Sequence, residues 1–381
     1  MKKITILALH LSFGGVEKFI SNIANLLVEK YDVQIISTYK LADKPAFFIN
    51  DKVNITYLLD DLVPNREEFK KAVKSLNPFK ILKEGIKSLK VLYYKKNKMI
   101  EAIKNINEGI IISTRYLHNK LLSKYANKGT TKITTEHNYK LNEPKYVKKV
   151  VKSCYNIEYF VAVSKEIKEF YEPKLINTKC IYIPHFLDYI PEELSKLSEK
   201  NLVSIGRLAL EKGFVDLIKV FKIVNEKHKD WKLYIIGDGE EKEKLKNLIK
   251  EYRLEDNIML TGFKEKSYIY DILSNAFLYI MTSLQESFGI VLLEASSFGV
   301  PCIAFDSAKG AIEIIENEKT GYLIENRDIS KMAKTINELI ENKEKSLELG
   351  KNARIKSLQF SQNNIKILWY DLIESIGEIN A

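Results

Sequence analysis

The 381-residue sequence is poor in the residues that mark several protein classes, with three cysteines, eight prolines and two tryptophans. Cys154, Cys180 and Cys302 are odd in number and lack metal-ligand or redox spacing, so they indicate neither a disulfide framework nor a metal site. As small core residues they favour a reducing compartment, and we expect a cytoplasmic protein. No apolar run of about eighteen residues occurs, so the sequence predicts no membrane-spanning helix.

Short apolar segments alternate with helical ones along the chain, which is the pattern of parallel sheets wound with helices. At this length we expect two α/β domains, each with its own core. The polar, lysine-rich stretch 191–200 reads as the linker between a first domain, 1–192, and a second, 201–360. The predicted strands are 4–9, 33–37, 53–58, 110–114, 133–136, 159–163, 181–183, 202–205, 232–236, 258–260, 278–281 and 302–305.

The densest motif follows the predicted strand 278–281. Glu286 and Glu294 have seven residues between them, a glycine turn and then an apolar run. Glu294 would lie in the first turns of a buried helix, whose free N–H groups suit a phosphate. The two carboxylates, about 10 Å apart, would suit a hexose and a ribose. The alternative is an amphipathic helix with solvated acids. The turn consists of Ser287, Phe288, Gly289 and Ile290.

A second motif follows the predicted strand 202–205. Arg207 and Lys212 leave the same strand-to-helix loop with four residues between them. A guanidinium group chelates phosphate oxygens in a fork, and an ammonium group adds a compact charge, so this pair suits a pyrophosphate. If only one of the two cations were present, we would interpret it as a solvated surface residue.

Together these residues resemble the R-x4-K and E-x7-E elements of the retaining GT-B glycosyltransferases of group 1, family 4. The resemblance covers nearly the whole chain and is strongest over 201–325. It implies two Rossmann-like domains facing a central cleft, with a last helix, 361–381, that returns to the first domain. It also implies transfer of a hexose or N-acetylhexosamine from a nucleotide sugar, with UDP as the expected carrier and with retention of configuration.

The resemblance also assigns roles to residues. Arg207 and Lys212 would neutralise the departing diphosphate, while Glu286 would face the hexose and Glu294 the ribose. No Asp-x-Asp pair occurs, so no bridging divalent cation is implied, and we expect neither a metal nor a cofactor. We expect Glu294 and Arg207 to be exposed in the cleft. The expected donor-binding residues are Gly14, Gly15, Arg207, Lys212, Phe263, Glu286, Ser287, Phe288, Gly289, Ile290 and Glu294.

The first half contributes a glycine loop and a histidine. Gly14 and Gly15 would let the backbone approach a ligand where a helix begins near Val16, although a plain tight turn is the alternative. The loop lacks Gly-x-Gly-x-x-Gly, which argues against a dinucleotide oxidoreductase.

His137 ends the predicted strand 133–136. In the family such a histidine lies beside the donor hexose, so we count it with Glu286, Arg207 and Lys212 as catalytic; elsewhere it would be a loop hydrogen-bonder.

The net charge of +10 arises partly from a predicted helical insertion at 64–106. Within residues 66–98, eleven basic residues stand against three acids and alternate with large apolar residues. Such basic amphipathic helices favour anionic membrane surfaces, whereas a solvated lysine-rich face is the alternative. No nucleic-acid-binding motif accompanies the charge, so we expect no nucleic-acid partner.

Three hypotheses follow for function. The first is a cytoplasmic glycosyltransferase, peripheral on the inner membrane leaflet, that extends a glycan or lipid-linked acceptor in surface polysaccharide or glycoconjugate assembly. The second is a sugar-nucleotide epimerase of the same architecture, which needs no acceptor. The third is a non-enzymatic protein that binds anionic polymers.

Overall fold

The structure is a computed structural model that describes residues 1–378. The chain forms two compact units. The first contains Met1–Val163, Ile167–Ile183 and the chain from Trp369 onward, and the second contains Ser164–Glu166 and Pro184–Leu368. No described helix is both long enough and apolar enough to cross a bilayer.

The first unit is a seven-stranded parallel sheet in the order β3-β2-β1-β4-β5-β6-β7. Its central strands are apolar on both faces, as expected for a sheet covered by helices on both sides. The elements are β1 Lys3–Ala8, α1 Gly15–Leu27, β2 Asp32–Tyr39, β3 Asn54–Leu59, α2 Arg66–Lys74, α3 Pro78–Lys104, β4 Gly109–Ser113, α4 Tyr116–Tyr125, β5 Thr130–Glu136, α5 Pro144–Ser153, β6 Tyr159–Ala162, α6 Lys165–Tyr171 and β7 Lys179–Tyr182.

The second unit is a six-stranded parallel sheet in the order β10-β9-β8-β11-β12-β13. A large cluster of buried side chains, mostly Leu, Ile, Val and Phe, packs between the sheet and its helices. The elements are β8 Asn201–Ile205, α7 Phe214–Lys227, β9 Lys232–Ile236, α8 Lys242–Glu251, β10 Ile258–Gly262, α9 Lys266–Ser274, β11 Leu278–Met281, α10 Ile290–Ser297, β12 Cys302–Phe305, α11 Gly310–Ile314, β13 Gly321–Ile324, α12 Ile329–Glu341, α13 Lys343–Ser357 and the start of α14 Gln362–Glu378.

The predicted α/β class with two doubly wound parallel sheets is confirmed. Strand β13 was not predicted, because four residues at a sheet edge between polar segments carry a weak strand pattern. The stretch 191–200, predicted to be a linker, is irregular but packs on the second unit. Ser195 Oγ donates to the Ala276 carbonyl at 2.7 Å, and Leu197 is buried.

The insertion between β3 and β4 consists of α2 and the long helix α3. Helix α3 begins with the Asn77 side chain accepting from the N–H groups of Phe79 and Lys80. Only three of its side chains, Val91, Met99 and Ile103, are buried. A stripe of exposed large side chains at helical spacing therefore runs along α3, and we call it the α3 stripe: Phe79, Leu82, Ile86, Leu89 and Tyr93.

The last helix, α14, contributes to the first unit from Trp369 onward. The Trp369 side chain is 1% exposed, and its ring lies 6.3 Å from that of Phe19. Tyr31 donates to Glu374 Oε1 at 2.7 Å, and Lys2 Nζ lies 3.1 Å from Glu374 Oε2. Residues 379–381 of the predicted final helix lie outside the described residues.

We expect Trp369→Ala to lower the free energy of unfolding by about 3–5 kcal/mol, because truncating a buried indole leaves a cavity. The matched control is Ile367→Ala on the same helix, since Ile367 is 58% exposed; its effect should stay within about 0.5 kcal/mol. Denaturant unfolding followed by circular dichroism measures both. Equal effects would contradict the packing of α14 described above.

Candidate active site

The strand order of the second sheet reverses beside β8. Strand β8 pairs with β9 on one side and with β11 on the other, so the loops after β8 and β11 leave the sheet at neighbouring positions. In open α/β sheets, ligands bind at such a switch point, outside the carboxyl ends of the strands. Arg207 and Lys212 follow β8, and Glu286 follows β11. The topology therefore brings together two motifs that are 74 residues apart between Lys212 and Glu286.

An ion pair joins the two motifs. Lys212 Nζ lies 2.6 Å from Glu286 Oε2, and both side chains are mostly buried. Two backbone contacts support the pair. Leu284 N donates to the Glu211 carbonyl at 2.8 Å, and Thr282 Oγ1 donates to the Lys212 carbonyl at 3.2 Å. The ammonium group is thus held beside a carboxylate at the end of the sheet, where it can also meet an anionic ligand.

Gly213 lets the chain make this approach. Its φ is +67°, and a Cβ on it would lie 2.1 Å from the Thr282 carbonyl oxygen. This left-handed backbone conformation is unfavourable for residues with an L side chain, and the Thr282 carbonyl oxygen has little room to move. Only glycine therefore fits here. Helix α7 begins at the next residue, Phe214.

Arg207 is the exposed cation of the site, with 61% of its side chain accessible. Its guanidinium group pairs with Glu211 and lies 3.8 Å from Glu240. The loop behind it packs tightly: Leu208 N donates to the Asp238 carbonyl at 3.0 Å. Binding of a phosphate would compete with these two exposed carboxylates, and exposed ion pairs of this kind contribute little stability.

The start of α10 offers uncapped N–H groups. Gly289 precedes the helix with φ of +90°, and no side chain among the described residues caps the first turn. Such a helix start favours an anion. The Phe288 ring is buried against His185 and Phe360, so this residue can offer a ligand only its backbone. Ser287 and Ile290 are partly exposed on either side of that turn.

Glu294 is buried, with 6% of its surface accessible. The expectation that it would be exposed is therefore wrong, although its place on α10 was predicted. The physical reason is that α10 is covered on almost all sides, with Leu292, Leu293 and Ala295 fully buried. Burial raises the pKa of Tyr270 above its usual range, and the negative charge of Glu294 adds to this shift.

Phe263, after β10, is 59% exposed and offers an aromatic surface.

Arg327 is a positioning residue that the sequence analysis missed. It donates to Asp216 Oδ2 at 2.6 Å, and to the carbonyls of Thr282 at 3.0 Å and Ser283 at 3.1 Å. It thereby ties α7 to the chain that leaves β11. Its φ of +53° is unusual for a residue other than glycine. No sequence signal pointed to it, because Asp216 lies 111 residues away along the chain.

The glycine loop of the first unit also lies at a reversal of strand order, since β1 pairs with both β2 and β4. Helix α1 begins at Gly15, as predicted to within one residue. A Cβ on Gly14 would lie 2.1 Å from Glu17 Oε2. Glu17 is 3% exposed and accepts from Arg115 Nη2 at 2.7 Å. This ion pair was not predicted, because Arg115 belongs to a different strand-end loop.

His10 lies beside the same pair, with its Nδ1 3.7 Å from Glu17 Oε1. Burial, assisted by the positive charge of Arg115, lowers the pKa of His10, although Glu17 acts in the opposite direction. The imidazole is therefore held as a neutral hydrogen-bonding group near neutral pH.

His137 directly follows β5, as predicted. Its Nε2 lies 2.7 Å from Thr135 Oγ1, and its ring lies 4.4 Å from that of Phe19. The Glu136 carboxylate accepts from the His137 N–H at 3.0 Å and from the Asn138 N–H at 2.8 Å, which fixes the backbone here. Burial raises the pKa of Glu136, and these hydrogen bonds oppose the shift. His137 thus has a defined orientation, and its catalytic role stays a prediction.

Within the described part of the chain, no group of three or more His, Cys, Asp or Glu side chains has the geometry of a metal site. At the switch point of the second unit, Arg207 and Lys212 are the two cations of the predicted motif.

Residues 187–356 match the family model described as glycosyl transferases group 1. The chain is 29% identical to an uncharacterized glycosyltransferase of Haemophilus influenzae, with 98% of this chain and 100% of that protein covered. It is 26% identical to the amylovoran biosynthesis glycosyltransferase AmsD of Erwinia amylovora, with 94% and 96% covered. A solved structure of a variant of S. aureus TarM with fondaparinux, α-GlcNAc-glycerol and UDP has a TM-score of 0.77 at 17% identity, covering 98% of this chain and 100% of that one. The predicted GT-B fold is confirmed by these findings.

We expect Gly213→Ala to lower the free energy of unfolding by at least about 1 kcal/mol, because the new side chain meets both an unfavourable φ and the Thr282 carbonyl. The matched control is Gly206→Ala in the same loop, where the nearest neighbouring atom would lie 3.6 Å away. Thermal and denaturant unfolding measure both variants. A loss as large for Gly206→Ala as for Gly213→Ala would contradict the role of the backbone contact.

Proposed function

Because the chain carries a group 1 glycosyltransferase domain over residues 187–356, we propose that it transfers a hexose or N-acetylhexosamine from a UDP-sugar to a glycan or lipid-linked acceptor. The observation that carries the proposal is the Lys212–Glu286 ion pair, which joins the two motifs at the switch point. The presence of UDP in the TarM structure supports the choice of nucleotide. The name of AmsD supports a role in polysaccharide assembly.

In this proposal Arg207 and Lys212 bind the diphosphate and stabilise its charge as it departs. Electrostatic groups of this kind act most strongly where charge develops in the transition state. The uncapped start of α10 adds N–H groups to the same anion. The two cations and the helix start make the transfer independent of a metal ion and of any cofactor.

Glu286 faces the hexose, and Glu294 accepts from the ribose hydroxyls. The ion pair with Lys212 fixes the position of the Glu286 carboxylate, so it can accept from a sugar hydroxyl. In the first unit, Gly14 and Gly15 bind a ligand through their backbone, and His137 is a hydrogen-bonding partner of a hexose. The sugar is transferred with retention, by attack of the acceptor on the face from which the diphosphate leaves.

We also propose that the enzyme works in the cytoplasm, at an anionic membrane surface. The support is the combination of the α3 stripe with the lysines of the same helix. Apolar side chains insert at the boundary between headgroups and acyl chains, and lysines near an anionic surface each contribute about 1 kcal/mol. A lipid-linked acceptor would then be presented to the enzyme at the surface to which it binds.

We expect UDP to bind the protein and Arg207→Ala to weaken that binding by about tenfold or more, because the variant loses a charged contact to the diphosphate. Isothermal titration calorimetry measures the affinity. The matched control is Arg253→Ala, which removes an arginine of the same unit outside both motifs. Unchanged affinity for Arg207→Ala would contradict the assignment.

Turnover of a panel of UDP-sugars, with and without lipid-linked acceptors, tests the function itself. Transfer that requires an acceptor supports the proposal. Epimerised or hydrolysed donor without an acceptor would instead identify the epimerase alternative, and the absence of any turnover or UDP binding would favour a binding protein for anionic polymers.

We expect reversal of three lysine charges on α3, with Glu in place of Lys83, Lys87 and Lys90, to abolish binding to vesicles that contain anionic lipid. Reversal turns attraction to the surface into repulsion. A vesicle co-sedimentation assay at low salt measures it.

The matched control reverses three lysines on α8 of the second unit, Lys244, Lys246 and Lys250, which changes the net charge equally. This control should retain vesicle binding. Equal losses in both variants would show that net charge alone governs binding, and the membrane proposal would fail.

A further inference from the structure

A cavity of about 490 Å³ opens between α3 and α4 of the first unit, at the carboxyl end of β2. Its size falls in the range of small-molecule sites. It is separate from the glycine loop and from His137, none of whose residues line it. The lining divides into a basic set, Lys95, Lys96, Lys120 and Lys124, and an apolar set, Leu92, Met99, Leu117, Leu121 and Tyr125.

No acid lines the cavity, and no carboxylate pairs with its four lysines among the described residues. Ion pairs with carboxylates do occur on neighbouring parts of the surface. Lys98 on the same helix pairs with Glu101 at 3.1 Å, and Lys140 pairs with Glu143 at 2.9 Å. The cavity therefore holds an uncompensated cluster of positive charge, which favours an anionic ligand.

His118 lies at the buried end of this lining, with 3% of its surface accessible. Burial, with the positive charges of Lys95 and Arg115, lowers the pKa of His118 to about 3, so the imidazole is neutral. Its Nδ1 has no hydrogen-bond partner among the described residues. A buried polar atom without a partner indicates a place where a ligand or water is accommodated.

The apolar part of the lining continues onto the surface. Leu92 and Leu117 are 60% and 46% exposed, although each lines the cavity. Leu89 and Ile86 of the α3 stripe precede Leu92 at helical spacing, so an apolar path leads from the cavity along α3. A ligand with a charged head and a long apolar chain fits both features.

We propose that this cavity binds a phosphate or diphosphate group carried on an aliphatic chain, with the lysines on the anion and the chain along Leu92 and the α3 stripe. Identification of the ligand as the lipid carrier of the acceptor rests on the proposed function. Binding itself needs neither the donor nor transfer.

The test titrates the full-length protein with decyl phosphate below its micelle concentration by calorimetry. Inorganic phosphate and decanol are the two comparison ligands. Decyl phosphate should bind at least about tenfold tighter than inorganic phosphate, because two buried methylene groups alone account for about that factor. It should also bind tighter than decanol, because only the phosphate group can contact the lysines. Equal affinity for inorganic phosphate would overturn the proposal, since the apolar lining would then contribute nothing, and so would a failure of decyl phosphate to bind.

The two charge-matched variants each replace two exposed lysines of the first unit with glutamine. Lys96→Gln with Lys120→Gln removes two charges from the cavity, and Lys44→Gln with Lys52→Gln removes two from loops of the first unit outside it. The first pair should lower decyl phosphate affinity by about tenfold, and the second should leave it unchanged. Equal effects of the two pairs would overturn the proposal.

UDP affinity, measured on the same proteins, separates the two conclusions. Loss of decyl phosphate binding with UDP binding retained concerns the cavity alone. Decyl phosphate binding in a protein that does not bind UDP would uphold the cavity and contradict the proposed function.

Discussion

The ion pair between Lys212 and Glu286 is the interaction on which the second unit's site depends. It joins the loop after β8 to the loop after β11, and the parallel pairing of these strands puts the two loops at one edge of the sheet. Because both side chains are mostly buried, loss of one partner would leave a charge in a poorly solvated place. The ion pair can form only because the strand order places these two loops side by side.

The loops around that pair are held by tight backbone contacts. Gly213 lies against the Thr282 carbonyl, and Gly310 lies so close to Phe288 that a Cβ would be 2.3 Å from its backbone nitrogen. Arg327 adds four hydrogen bonds to the same region. A site preorganised in this way loses little entropy when a charged ligand binds.

The sequence predicted the elements that carry local patterns. Alternating strands and helices identified the fold class, and the spacing of Arg207, Lys212, Glu286 and Glu294 identified the two motifs. Contacts between distant positions were not predictable, which is why Arg327 and the pair of Glu17 with Arg115 were missed. The burial of Glu294 was not predicted for a related reason. The sequence of an apolar helix does not show which neighbouring elements will cover a charged residue on it. The cavity between α3 and α4 likewise depends on how two helices pack.

A double-mutant cycle on Lys212→Met and Glu286→Gln tests most directly whether the two motifs form one donor site. Calorimetry gives the affinity of the transferred UDP-sugar for the wild type, both single variants and the double variant. If the ion pair organises the site, the two effects should be coupled by at least about 1 kcal/mol. Effects that add to within about 0.3 kcal/mol would mean that the residues act independently, and they would contradict the account.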